Sequence, residues 1–159
     1  MIGILRAFDG DGFLAFDNSH GDLSAAPGFV DAVDVHKSWH ALSILTAPGE
    51  PTPEMTQADP LDPVLGGTAF GEDNGYGEPR YFEPDQVRTI ASEILVRSDD
   101  DARARFDPKA WTAAAVYPFG WDEDPEELWQ RDLLPNLVAV RAFYARAALA
   151  GHYVVLEIE

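Results

Sequence analysis

Residues 151–159, Gly151-His152-Tyr153-Val154-Val155-Leu156-Glu157-Ile158-Glu159, decide the fold. A glycine closing a long apolar-periodic stretch caps a helix, because it enters the left-handed region without a Cβ clash. The eight residues beyond it alternate, with Val154, Leu156 and Ile158 on one side, as a half-buried strand does. The chain opens the same way. Ile2 to Phe8 is β-like, and the turn Asp9-Gly10-Asp11-Gly12 ends the run. With helices between two β-like termini, the first and last strands are expected to pair. The expected fold is α+β: a single compact domain over residues 1–159, mostly helical, with a small sheet that includes the N- and C-terminal strands.

Working inward from Gly151, Asp124-Pro125 opens a long helical stretch, with Leu137, Val140, Tyr144 and Ala147 on its apolar face. Pro135 is expected to kink or break it. Pro84 suits a first helical turn, and Val87, Ile90, Ala91, Ile94 and Leu95 mark one face of the helix that follows. Ser98 with Asp101 reads as a capping box for a short helix ending near Phe106. Asp107-Pro108 starts another through Trp111 and Val116. Upstream, Asp34 reads as an N-cap, with Val35, Trp39, Leu42 and Leu45 at helical spacing until Pro48-Gly49. Phe13 to Val33 reads as irregular, Glu50 to Pro63 as a proline-rich surface loop, and Arg80-Tyr81-Phe82 as a short strand.

At 159 residues with 46% hydrophobic content, the chain is long and apolar enough for one real core. No apolar run of about 20 residues, the length that spans a bilayer, is read in it. The N-terminus has no basic stretch before its short apolar run, so no signal peptide is read and a cytoplasmic location is expected. With no cysteine, disulfides, thiolate metal sites and cysteine nucleophiles are excluded. Twenty-eight acidic residues against eleven basic ones give a formal charge of −17. That field repels phosphate backbones and anionic lipid, so neither nucleic acid nor membrane is expected as a partner. It favours a basic protein partner or a cationic ligand, although an acidic surface also simply keeps a protein soluble.

Motifs for chemistry are sparse. His36 and His40 lie four apart on the expected helix, as metal-binding pairs do, but Lys37 stands where a zinc protease has its Glu, and a cation opposes a metal. Two structural histidines are the better reading, and no metal or cofactor is expected. Asp9-Gly10-Asp11-Gly12 is placed like the nucleophile loop of haloacid-dehalogenase-like phosphatases. Phe13 and Leu14 occupy the wanted later positions, and the βαβ rhythm is missing. Phe13 also spoils a calcium-loop reading. The run Gly71-Glu72-Asp73-Asn74-Gly75-Tyr76-Gly77 presents carboxylates where a phosphate cradle presents amides and a Lys. There is no G-x-S-x-G elbow. Tyr117-Pro118-Phe119-Gly120-Trp121-Asp122 places aromatics beside the acidic run Glu123, Asp124, Glu126 and Glu127, either as a binding anchor or as a core plug.

Taken in order, several of these stretches resemble the YfbM-like family, a bacterial domain of unknown function. The likeness rests on Val33-Asp34-Val35-His36-Lys37-Ser38-Trp39-His40-Ala41-Leu42, on Leu65-Gly66-Gly67, and on Gly71-Glu72-Asp73 through Gly75-Tyr76-Gly77 with Arg80-Tyr81. It continues through Arg105-Phe106-Asp107-Pro108, Tyr117 to Asp122 and the Phe143-Tyr144 helix, and so spans residue 34 to the C-terminus. Before Asp34 the chain is shorter than the family. The resemblance implies a compact α+β fold in the bacterial cytoplasm and carries over no catalytic residue. It implies that Lys37, Trp39, His40, Glu72, Asp73, Tyr76, Arg80 and Trp121 sit on family motifs; with Asp122 they are the candidate binding residues.

Two readings follow. In the first, the chain is a non-enzymatic binding domain whose acidic surface around Trp121 and Asp122 to Glu127 captures a basic protein. Its size and acidity are similar to those of immunity proteins that neutralise basic toxins. In the second, His40, Glu72, Asp73, Tyr76 and Arg80 converge on one polar pocket, for a small molecule or a reaction. The first is favoured narrowly.

Overall fold

The terminal strands do lie side by side. A computed structural model describes residues 1–16, 22–49 and 59–159. Strand β1 (Gly3–Phe8) pairs antiparallel with β5 (Tyr153–Ile158), with Leu5 opposite Leu156. Outside β1 lies β2 (Phe29–His36), and beyond β5 lie β4 (Arg80–Phe82) and β3 (Thr68–Ala69). All neighbours in this five-stranded sheet are antiparallel.

Alternation in β1 and β5 sends side chains to two different cores. Leu5, Ala7, Val154 and Leu156 face the helices, in the main cluster with Val35, Leu42, Ile90, Val140 and Phe143. Phe8 and Val155 face the opposite way. There the short 3₁₀ turns Gly12–Ala15 and Leu23–Ala25 bring Phe13 and Leu23 over them. The terminal strand is therefore covered on both faces at its centre, where alternation alone pointed to one. Arg6 lies on this second face, 4% exposed, where it pairs with Glu157 at 2.6 Å, Glu159 at 3.0 Å and Asp22 at 3.2 Å.

The helices are α1 (Trp39–Thr46), α2 (Pro84–Val96), α3 (Asp99–Arg105), α4 (Pro108–Ala113), α5 (Pro125–Leu128) and α6 (Leu134–Ala150). Several starts follow the residues expected of them. Ser98 and Asp101 form a reciprocal capping box, Asp107 and Asp124 cap helices that begin on prolines, and Gly151 closes α6 at φ +70°.

Other expectations need correction. The region read as irregular up to Val33 contains most of β2, and Asp34 is a strand residue, not an N-cap. Its carboxylate accepts the His36 amide at 2.6 Å and so turns the chain at the strand end. The helix begins at Trp39, so Val35 and His36 never join its face and the helical histidine pair does not exist. Leu95 is 49% exposed, off the buried face of α2. Helix α4 stops at Ala113, short of Val116. Pro135 does not break the helix, since winding continues through it; one π-helical turn, Trp129–Leu133, lies immediately before it and contains Arg131, whose carbonyl a proline at 135 leaves without its i+4 amide. Winding is continuous from Pro125 to Ala150, and one 18-residue stretch of it reaches a mean hydropathy of 1.2, long and apolar enough by composition to cross a bilayer, contrary to the expectation of no such run. Leu137, Val140, Phe143, Tyr144 and Ala147 along it are packed in the core. Of the expected loop over residues 50–63, residues 50–58 lie outside the described residues.

Candidate functional site

The Leu65-Gly66-Gly67 stretch is a clasp. Asp62, 2% exposed, accepts the amides of Val64 at 2.8 Å and Leu65 at 3.0 Å together with the hydroxyl of Ser43 on α1. Burial pushes its carboxyl above the ordinary aspartate range, and those hydrogen bonds hold it partly down. Tyr144 donates from α6 to the Pro63 carbonyl at 2.6 Å. A Cβ on Gly66 would meet the carbonyl oxygens of Asp59 and Pro60 at 2.7 Å, so only glycine fits.

Arg80 completes the clasp, its Nε and Nη2 donating to the carbonyls of Gly66 at 3.0 Å and Gly67 at 2.7 Å. Asp73, Tyr76 and Arg80 do line one cleft, of about 480 Å³, with Glu78 and Glu157. Part of the hydrogen-bonding capacity of Asp73 and Arg80 is already engaged, however. One Asp73 oxygen accepts the amides of Gly75 and Gly77, and the Arg80 guanidinium holds the clasp. Tyr76 is 56% exposed, and Glu72 lies on the exposed loop outside the cleft lining.

His40 is placed elsewhere. It is 7% exposed on α1, where its Nδ1 accepts the backbone N–H of Tyr117 at 3.0 Å. An accepting Nδ1 puts the proton of the neutral ring on Nε2. Burial holds its pKa below 6.5. The Trp39 ring stacks on His40 at 5.4 Å and on Tyr117 at 5.6 Å. Among the described residues neither Trp39 Nε1 nor His40 Nε2 has a hydrogen-bond partner, although both atoms are buried. The Lys37 to His40 stretch is thereby tied to the aromatic turn.

That turn, 117–122, divides its rings between core and surface. Trp121 is 2% exposed; it packs edge-on against Trp111 at 5.5 Å and Phe106 at 6.0 Å, and its Nε1 donates to Val116 at 2.8 Å. Asp122 accepts from the Thr112 hydroxyl at 2.7 Å and pins the turn to α4. Phe119 goes the other way. It is 61% exposed at φ +87°, a left-handed conformation that a bulky residue rarely adopts. The Tyr117–Pro118 bond just before it is cis. Position Phe119 also edges a shallow groove of about 300 Å³ with Glu123, Asp124, Glu127, Leu128, Arg131 and Asp132. Arg131 pairs with Glu127, and Asp124 caps α5, which leaves Glu123 and Asp132 the less engaged acids. A second cleft, of about 370 Å³, shares Leu128 and Asp132 with this groove and continues to Pro118, Trp121, Lys37 and Ser38.

Thus seven of the nine candidate residues divide into three places, with Glu72 and Asp122 outside all of them. Asp73, Tyr76 and Arg80 meet in one cleft, Lys37 and Trp121 in another, and Trp39 with His40 in the buried stack between helix and turn. Reading residues along the chain missed Phe119 as the exposed ring, because an aromatic turn gives no periodicity from which to tell inward from outward. It also missed Ser38, Asp132 and Asn136, which line the Lys37 cleft from separate elements.

The fold has a counterpart among solved structures: YfbM from Escherichia coli, a protein of unknown function, is similar over 100% of both chains with a TM-score of 0.70 and 18% identity. At that identity the likeness concerns the fold alone. No curated protein matches the chain. The motifs from Val33 onward are accompanied by a match that reaches further toward the N-terminus than they do. A family model described as a domain of unknown function, DUF1877, covers residues 13–157, and the chain belongs to that family.

Proposed function

We propose that the protein is a non-enzymatic binding domain that captures a basic protein segment along the acidic groove beside Phe119. The observation that carries this reading is the Phe119 ring itself, 61% exposed in a left-handed backbone conformation. Such a conformation costs on the order of 1–3 kcal/mol, and a core plug would not need it at the surface. Around the ring stand Glu123, Asp124, Glu127 and Asp132 against the single guanidinium of Arg131. An aromatic face rimmed by carboxylates suits an arginine or lysine side chain, through cation–π attraction at the centre and ion pairs at the edge. The −17 charge of the whole chain adds long-range attraction for the same partner. The pocket reading has less support, since Asp73 and Arg80 hold their own loop and His40 holds the aromatic turn.

Affinity capture from cell lysate on native protein and on Phe119→Gly tests it. Glycine relieves the left-handed backbone and leaves every charge in place. Basic proteins held by the native column at low salt, and lost both at high salt and from the variant, support the reading. Identical capture by both columns overturns it, because charge alone would then explain retention.

A further inference from the structure

Next to the acidic groove, the 370 Å³ cleft has a different character. Each of the nine arginines makes a hydrogen bond or ion pair with the protein, whereas Lys37 at this cleft makes none among the described residues. Ser38 beside it is 6% exposed, and its Oγ accepts from Asn136 Nδ2 at 3.1 Å. A hydroxyl that accepts still has its own proton to donate. Pro118, Trp121 and Leu128 supply an apolar wall. Asp132, on the π-helical turn, stands on the same lining and makes no ion pair with Lys37, so their charged atoms are more than 4 Å apart. The site therefore offers a cation and a hydroxyl proton for an anion, a separate carboxylate for a cation, and an apolar surface.

The −17 field disfavours any simple anion near Lys37. A ligand that brings its own positive charge escapes that penalty. We infer that this cleft binds a zwitterion with an apolar side chain: its carboxylate on Lys37 and Ser38, its ammonium toward Asp132, its side chain against Trp121 and Pro118. An apolar α-amino acid has this chemistry, and a basic peptide ending in an apolar residue approximates it, with a lysine side-chain ammonium in place of the α-ammonium. The volume lies within the range usual for small-ligand pockets. The inference is independent of the groove reading, since it rests on Lys37, Ser38 and Asn136.

The test is an amide-resolved NMR titration of the full chain with four probes: L-leucine, L-leucinamide, N-acetyl-L-leucine and the peptide Lys-Lys-Lys-Leu with a free carboxylate. Leucine is expected to shift resonances of residues 36–38, Trp121 and Asn136. The amide and the N-acetyl form are expected to bind at least tenfold more weakly, and Lys37→Met to weaken leucine by a similar factor. Binding of the peptide without free leucine would keep the site and assign it to a chain terminus. Equal binding of leucine and its amide, or no shift at the cleft with any probe, would overturn the inference. A Lys37→Arg variant, which keeps the charge, is expected to retain binding; its failure alongside Lys37→Met with an intact fold would show that charge is not what Lys37 supplies, and would also overturn it.

Discussion

The Nδ1 of His40, on the first helix, accepts the backbone N–H of Tyr117 at 3.0 Å, and this bond ties the aromatic turn to the helix that leaves the edge strand. His40→Ala would leave that part-buried amide without its partner, at a cost of about 1 kcal/mol. Asn at position 40 keeps an acceptor. The bond also carries a pH dependence. Burial holds His40 below 6.5 in the fold, while the unfolded chain takes its proton near 6.5. Stability is therefore full above about pH 6.5 and is lost as pH falls through the window down to the depressed folded value. Thermal melts between pH 8 and 5 should show a smaller decline for His40→Asn than for native protein. Equal slopes would remove His40 from the account.

Asp62 has the opposite sign. Burial raises its folded pKa above 3.8, so the fold holds the proton more tightly than the unfolded chain does. Its contribution to stability increases as pH falls through the raised value toward 3.8. Asp62→Asn keeps an oxygen for Val64 and Leu65 and should stay within about 1 kcal/mol of native at pH 7. Asp62→Ala strands both amides and the Ser43 hydroxyl, and should lose about 3 kcal/mol or more in denaturant titrations. An alanine variant as stable as native would show that the clasp does not need its carboxylate.

Glycines of one loop region should respond unequally to alanine. Gly67, at φ +87°, has Tyr81 O at 2.7 Å from an added Cβ, so conformation and collision add. Gly67→Ala should cost at least about 2 kcal/mol. Gly75 is at φ +96° with open space around it, and its alanine variant should lose only about 1–2 kcal/mol. Paired thermal melts would check the order; a reversed order would mean that the Gly67 contact relaxes freely.

Arg6 faces Glu157 and Glu159 on the second face of the sheet. Burial already pushes the Glu157 carboxyl up, with Arg6 opposing that shift. Arg6→Met would leave the acids facing one another and should lose about 2–4 kcal/mol at pH 7. Part of the loss should return as the pH falls, because burial raises the pH at which Glu157 takes a proton. Denaturant titrations at pH 7 and at successively lower pH would check this, and a loss that does not change with pH would separate Arg6 from Glu157.

Strand and helix ends were legible where one residue type dominates the local physics. Gly151 in the left-handed region, prolines after Asp107 and Asp124, and the Ser98 box all did locally what their chemistry requires. The second strand was hidden because Val35 fits both a strand's alternation with Val33 and a helix's spacing with Trp39; only pairing with the first strand decides between them. The cover over Val155 was hidden for a similar reason, since Phe13 and Leu23 arrive on short 3₁₀ turns without periodicity. At the site, residue types were readable but partners were not. Arg80 and Asp73 looked like ligand-binding groups and serve their own loop, while Phe119 gained its exposure from a backbone conformation that no side-chain pattern announces.

The proposed binding of a basic segment at Phe119 is mapped by an NMR titration with the amidated peptide Arg-Lys-Arg-Lys-Arg-Lys. Shifts are expected to concentrate at Phe119, Gly120, Glu123, Glu127 and Leu128 and to weaken with salt, with at least fivefold weaker affinity in Phe119→Gly. Shifts spread evenly over acidic positions such as Asp99 to Asp101, unchanged by the glycine substitution, would contradict it.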